Sequence, residues 1–182
     1  SVAMVIGNLR VRVWAWPLAI VASACYALLF AGSRLYGEAG LQIVFIALGA
    51  WGWLQWWRGT DTQGHSLVVS TMSQRARTVA GLATLAAWPL LGLALDHWTD
   101  TDVPFADALP TVGSVLGQIL LARKRLENWG VWLAVNVFSV GLFVLKGLWL
   151  TAVLYTLFAA LSVAGWRAWR ARLETQPAPA DR

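Results

Sequence analysis

Trp129, Trp132 and Asn136 stand at i, i+3 and i+7, a spacing that brings three side chains to one face of a helix. Tyr155, Phe158 and Ser162 repeat that spacing further along. Two more amides, Gln118 and Gln42, fall in otherwise apolar stretches. A side-chain amide both donates and accepts hydrogen bonds, while Trp and Tyr offer flat apolar faces. Together these groups suit a planar ring carrying a sugar or an amide. Taken singly, each amide would serve as well to tie one helix to another, a contact worth about 0.6–2 kcal/mol. The aromatic neighbours of Asn136 favour ligand binding at that position.

Bond-breaking chemistry has no comparable constellation. The 2 histidines, His65 and His97, are expected in loops on opposite sides of the molecule, with no serine partner and no HExxH or metal-ligand spacing. Cys25 is the single cysteine and forms no intramolecular disulfide. The sequence therefore implies no cofactor, no metal and no enzyme.

The elements that must position the aromatic and amide groups are membrane spans. Hydrophobic residues make up 58% of the chain and charged residues 13%, against about 25% charged in ordinary soluble domains. Apolar stretches approach the roughly 20 residues needed to cross a bilayer. They run over Val13–Ala31, Gly37–Trp57, Thr78–Leu95, Phe105–Leu121, Trp129–Leu145 and Leu148–Trp166. All of the 14 basic side chains except Arg34 and Lys146 fall on one side of these spans. The other side carries Asp96, Asp100, Asp102 and Asp107. This asymmetry places the C-terminus in the cytoplasm. The net charge of +5 is thus explained by topology and implies no nucleic-acid partner. Trp14, Trp16, Trp56, Trp57, Trp98, Trp166 and Trp169 sit at span ends, where indoles anchor at the headgroup level.

The chain also repeats itself. Gly52-Trp53-Leu54-Gln55-Trp56 and Gly165-Trp166-Arg167-Ala168-Trp169 share the pattern GWxxW, 113 positions apart (165 − 52). The same offset pairs Trp16 with Trp129, Phe45 with Phe158, Gln42 with Tyr155, and Arg10 and Arg12 with Arg123 and Arg125. Asn136 pairs with Ser23, which breaks the symmetry where an asymmetric ligand would require it. The expected fold is an all-α polytopic membrane protein, two parallel three-helix repeats joined by a linking helix. Residues 1–57 form the first repeat, with an incomplete first helix, and 58–77 form a cytoplasmic loop. A linking helix follows over 78–96, the second repeat over 105–170, and a disordered cytoplasmic tail over 171–182. Such repeats are a transporter arrangement, with substrate bound near the midplane between halves. Asp107 and Lys146 sit at helix ends, leaving no buried carboxylate for ion coupling. That favours facilitated diffusion of a neutral or weakly charged solute. A non-transporting membrane scaffold is the other reading, and a polar, ligand-sized cavity between the halves would oppose it.

Gly52-Trp53-x-x-Trp56, the Arg123–Arg125 run with Glu127, Trp129-x-x-Trp132-x-x-x-Asn136, and Tyr155-x-x-Phe158 leading to Gly165-Trp166-x-x-Trp169 resemble the Pnu family of bacterial vitamin transporters. The resemblance covers nearly all of residues 1–172. It implies seven helices in a three-one-three layout, a homotrimer in the bacterial inner membrane, and uniport of the vitamin B3 precursor nicotinamide riboside, trapped inside by phosphorylation. Thiamine and riboflavin are the alternative substrates within the family. It further implies ligand contacts from the third, sixth and seventh helices, which map to Trp53, Trp129, Trp132, Asn136 and Tyr155. Gln42 stands where a Tyr often opens the family's third-helix motif.

Overall fold

The structure is a computed structural model that describes residues 2–32, 36–60, 64, 67–99 and 103–175. Among these residues the regular elements are seven helices: α1 Val2–Leu9, α2 Ala15–Gly32, α3 Tyr36–Arg58, α4 Gln74–Trp98, α5 Pro104–Ala122, α6 Asn128–Leu145 and α7 Trp149–Thr175. Five helices are long and apolar enough to cross a bilayer, and Ala15–Leu29 is a shorter apolar segment within α2. Apolar side chains also cover the outer surface, among them Leu82, Leu85, Leu90 and Leu93 of α4. A helix that is apolar all round belongs in lipid or in a core, and α4 is largely unburied. The chain is a multi-pass membrane protein.

What packs the helices together is a set of tryptophans at the basic end. Trp16, Trp56, Trp129 and Trp169 are all buried, in a cluster with Leu67, Val69, Leu121 and Leu126. Two glycines let the rings approach the backbone. A Cβ on Gly52 would lie 2.3 Å from the Trp16 ring, and one on Gly165 would lie 2.4 Å from the Trp129 ring. Each of these rings then meets a second edge-on, Trp16 against Trp56 at 5.5 Å and Trp129 against Trp169 at 5.6 Å.

The 113-residue offset reappears in the backbone. Val11 and Lys124, equivalent by that offset, both adopt positive φ (56° and 50°), a conformation uncommon outside glycine. The turns they make are matched bond for bond. Arg12 N–H donates to Gly7 O at 2.8 Å, and Arg125 N–H donates to Leu120 O at 2.9 Å. The first helix of each set packs on the last helix of the other, α1 on α7 and α5 on α3.

The segment before α4 is more ordered than a plain loop. Ser70 N–H donates to Lys124 O and Leu126 N–H to Ser70 O, and Glu127 Oε1 accepts from Met72 N–H and from Arg77. Lys124 Nζ donates to Leu67 O and lies over the Trp56 ring; burial, with Arg172 adding repulsion, lowers its pKa below the usual lysine value.

Several boundaries differ from expectation. Ser73 caps the helix through its hydroxyl, accepting from Ala76 N–H, so α4 begins at Gln74 rather than 78 and runs to Trp98. His97 is accordingly in the last turn of α4 and not in a loop. At the C-terminus α7 continues to Thr175, past the expected start of the tail at 171, with Arg170 and Glu174 paired one turn apart. Arg34, His65, Asp100, Asp102 and the tail from 176 to 182 lie outside the described residues.

Candidate functional site

Eight of the nine residues singled out in the sequence, Phe158 and Ser162 among them, surround one cavity of about 590 Å³. Gln42 enters from α3, Gln118 from α5, Trp129, Trp132 and Asn136 from α6, and Tyr155 from α7. The i, i+3, i+7 spacing on α6 does what it implied, turning two indoles and an amide into the same space. Asn136 is 5% exposed. Its Nδ2 donates to Ser162 Oγ at 3.3 Å, and that hydroxyl donates to Phe158 O at 2.8 Å. The amide is thereby held in one orientation by α7. Tyr155 is set between two phenylalanines, 4.9 Å from the Phe143 ring and 5.8 Å from Phe158. Gly117 gives Trp132 its place, since a Cβ there would lie 2.9 Å from Trp132 Cε2.

Trp53 is the exception. It stacks on Trp57 with ring centroids 6.2 Å apart and does not line the cavity. The α3 lining consists of Leu41, Gln42 and Phe45. Trp53 lies eleven residues beyond Gln42, about 16 Å along the helix axis, at the level of the tryptophan cluster.

That cluster closes the cavity at the basic end. Asn8, Asn128 and Trp129 line this end and are nearly or fully buried. Asn8 Oδ1, Asn128 Oδ1 and Trp129 Nε1 have no hydrogen-bond partner among the described residues, although Asn128 Nδ2 donates to Arg125 O. An unpaired buried polar atom costs about 1–3 kcal/mol, so the floor is polar and unsatisfied. Sequence reasoning missed Asn8, Asn128, Tyr26, Ser114 and Ser139, all of which line the cavity. Asn8 was legible as a lone amide in an apolar segment. Ser114 and Ser139 carry no local signal, because serines in membrane helices commonly bond their own backbone.

At the opposite end Lys146 Nζ lies 3.1 Å from Asp107 Oδ1. These are the charged side chains among the described lining residues. No cluster of His, Cys, Asp and Glu able to hold a metal occurs among the described residues.

A largely apolar cavity walled by aromatic rings, with a few polar groups turned into it, is the usual form of a small-molecule site. Comparison with known proteins identifies the family. The family model described as nicotinamide mononucleotide transporter matches residues 1–171. The riboflavin/roseoflavin transporter RibM of Streptomyces davaonensis is 31% identical over 181 residues, covering 92% of this chain and 80% of its own. The nicotinamide riboside transporter PnuC of Escherichia coli is 28% identical over 168 residues, covering 79% of this chain and 70% of its own. The crystal structure of the vitamin B3 transporter PnuC superposes with a TM-score of 0.74 at 18% identity, over 96% of this chain and 78% of that one.

Proposed function

The chain belongs to the nicotinamide mononucleotide transporter family, and from that premise we propose that this membrane transporter carries nicotinamide riboside by facilitated diffusion. The observation that carries the reading is Asn136, fixed by Ser162 and facing a cavity it shares with Trp132 and Tyr155. A carboxamide on an aromatic ring offers one acceptor and two donors, the complement of the Asn136 amide. The indole and phenol faces take the ring itself. Gln42 and Gln118 supply further donors and acceptors for a ribose. Around the cavity, the carboxylate among the described lining residues is Asp107, paired with Lys146, which gives an ion-coupled cycle no evident relay. Phosphorylation inside the cell would then trap the imported vitamin.

The chain works in the inner membrane with its basic, C-terminal end in the cytoplasm, as the placement of Arg10, Arg12, Arg123, Arg125, Arg167 and Arg172 favours, and assembles as a homotrimer. In that orientation the sealed floor faces inward. Residues 1–57 and 105–170 are the two units that rock against one another around the cavity.

Riboflavin is the second reading. It is favoured by the relative RibM, whose identity to this chain and coverage of it both exceed those of the Escherichia coli protein. The flavin ring edge also presents an N–H between carbonyl groups, so Asn136 alone does not separate the two.

Thermal stabilisation of the purified protein separates them. A ligand that binds the folded state at a hundred times its Kd adds about 2.7 kcal/mol. Nicotinamide riboside is expected to raise the midpoint saturably, and to be taken up by proteoliposomes without an ion gradient. A rise with riboflavin alone would transfer the assignment. Silence from both would overturn it.

A further inference from the structure

We infer that Asp107 sets the charge selectivity of the cavity: by pairing Lys146 it leaves no free cation among the described lining residues, so that phosphate esters are refused. The inference rests on reading the cavity as the substrate site, and it concerns which charge state of a ligand that site accepts.

Asp107 lies in the first turn of α5, and Lys146 is the residue that follows α6. Each is favoured there by its own helix, a carboxylate at an N-terminus and an ammonium at a C-terminus. Their side chains meet at 3.1 Å at the end of the cavity away from the tryptophan floor, 29% and 40% exposed. The other described lining residues are apolar, hydroxyl-bearing, amide or indole groups. A phosphate monoester brings a charge of roughly −1.5 to −2 at neutral pH. To enter, it must shed water against neutral walls and compete with Asp107 for the ammonium of Lys146. Burying a charge without a partner is among the most costly events in binding. A flavin without its phosphate is uncharged, and the cationic pyridinium of nicotinamide riboside can lie on the indole and phenol faces of the lining, so neither meets that barrier. The lining thus distinguishes a vitamin from its phosphorylated product through one ion pair and without a steric block.

Two probes test this in purified protein at matched ionic strength. The first is inorganic phosphate, which requires no knowledge of the vitamin. Wild type is expected to show no phosphate-dependent change in thermal midpoint. Asp107→Asn unpairs Lys146 and is expected to gain a saturable rise, lost again in Asp107→Asn with Lys146→Gln. The second probe is nicotinamide mononucleotide, expected to bind Asp107→Asn about tenfold more tightly than wild type, the scale of one charge-assisted contact. Should Asp107→Asn not accumulate as folded protein, Asp107→Ser removes the same charge with less bulk. A folded Asp107 variant blind to phosphate, or a wild type stabilised by phosphate as strongly as the variant, would overturn the inference. Failure of the substrate reading has a different signature: wild type silent towards nicotinamide riboside and riboflavin, with the phosphate gain in Asp107→Asn intact.

Discussion

Trp56 and Trp169 lie 6.2 Å apart, ring centroid to centroid, and each donates its indole N–H across the molecule to the end of a helix in the other half. Trp56 Nε1 reaches Leu121 O at 3.3 Å and Ala122 O at 3.1 Å, at the close of α5. Trp169 Nε1 reaches Asn8 O and Leu9 O, both at 3.3 Å, at the close of α1. The 113-residue offset turns one set of partners into the other. Carbonyls at a helix C-terminus lack partners of their own, so each indole satisfies a helix end while its ring fills the core. The two halves are therefore joined at the basic end by reciprocal contacts.

That reciprocity makes a quantitative prediction. Trp56→Phe and Trp169→Phe each remove one donor and keep most of the ring, and should each cost about 1 kcal/mol. The two variants should lower the thermal midpoint by similar amounts. A large difference between them would show that the halves bear unequal load.

How much of this was legible in the sequence depends on how each feature is encoded. GWxxW and its offset marked the two motifs as equivalent, but not that Trp16 and Trp129 pack on their glycines; Trp16, Trp56 and Trp169, expected as headgroup anchors at span ends, are buried in the core instead. The α6 face was legible, helical periodicity being a property of the segment alone. Trp53 was carried to the site by family resemblance, and the local geometry of α3 puts it a helical distance away from Gln42. Asn8 stands as a lone amide in an apolar segment, but the indole that donates to its backbone carbonyl comes from α7, 161 positions along the chain, and no local pattern shows it. The order in residues 67–72 was equally hidden, since Glu127 and Lys124, not the segment itself, hold it in place.

Glycine substitutions test the floor independently of the indole N–H. Ala at Gly52 would place its Cβ 2.3 Å from Trp16, and Ala at Gly165 would place one 2.4 Å from Trp129. Neither ring has room to retreat from a buried cluster, so each variant should lose about 1–3 kcal/mol. Gly141 has nothing within 4 Å of its position, and Gly141→Ala should be neutral or slightly stabilising. Melting curves of the three proteins side by side decide the matter.

Asn136→Ala should abolish vitamin uptake while leaving a folded protein, because it removes the one amide that α7 holds in register. Trp53→Ala, remote from the cavity, should transport at near the wild-type rate. Uptake in proteoliposomes of equal protein content reads both. Normal uptake by Asn136→Ala, or loss confined to Trp53→Ala, would move the site to the tryptophan end of α3.

Gly117→Ala separates binding from folding most sharply. Its Cβ would stand 2.9 Å from Trp132 Cε2 and 3.1 Å from Nε1. Trp132 lines the cavity and is only partly buried, so its indole can yield by swinging into the open space, whereas Trp16 and Trp129 are held in the buried cluster. Stability should therefore fall less than in Gly165→Ala. The displaced ring would occupy part of the ligand's volume and forfeit an aromatic contact worth about 0.5–1.5 kcal/mol. The expected result is a Kd for nicotinamide riboside weakened up to about tenfold, with a midpoint of the unliganded protein close to wild type. If Gly117→Ala binds as tightly as wild type, Trp132 does not stack on the substrate, and the ring face must be supplied by Tyr155 or Trp129 instead.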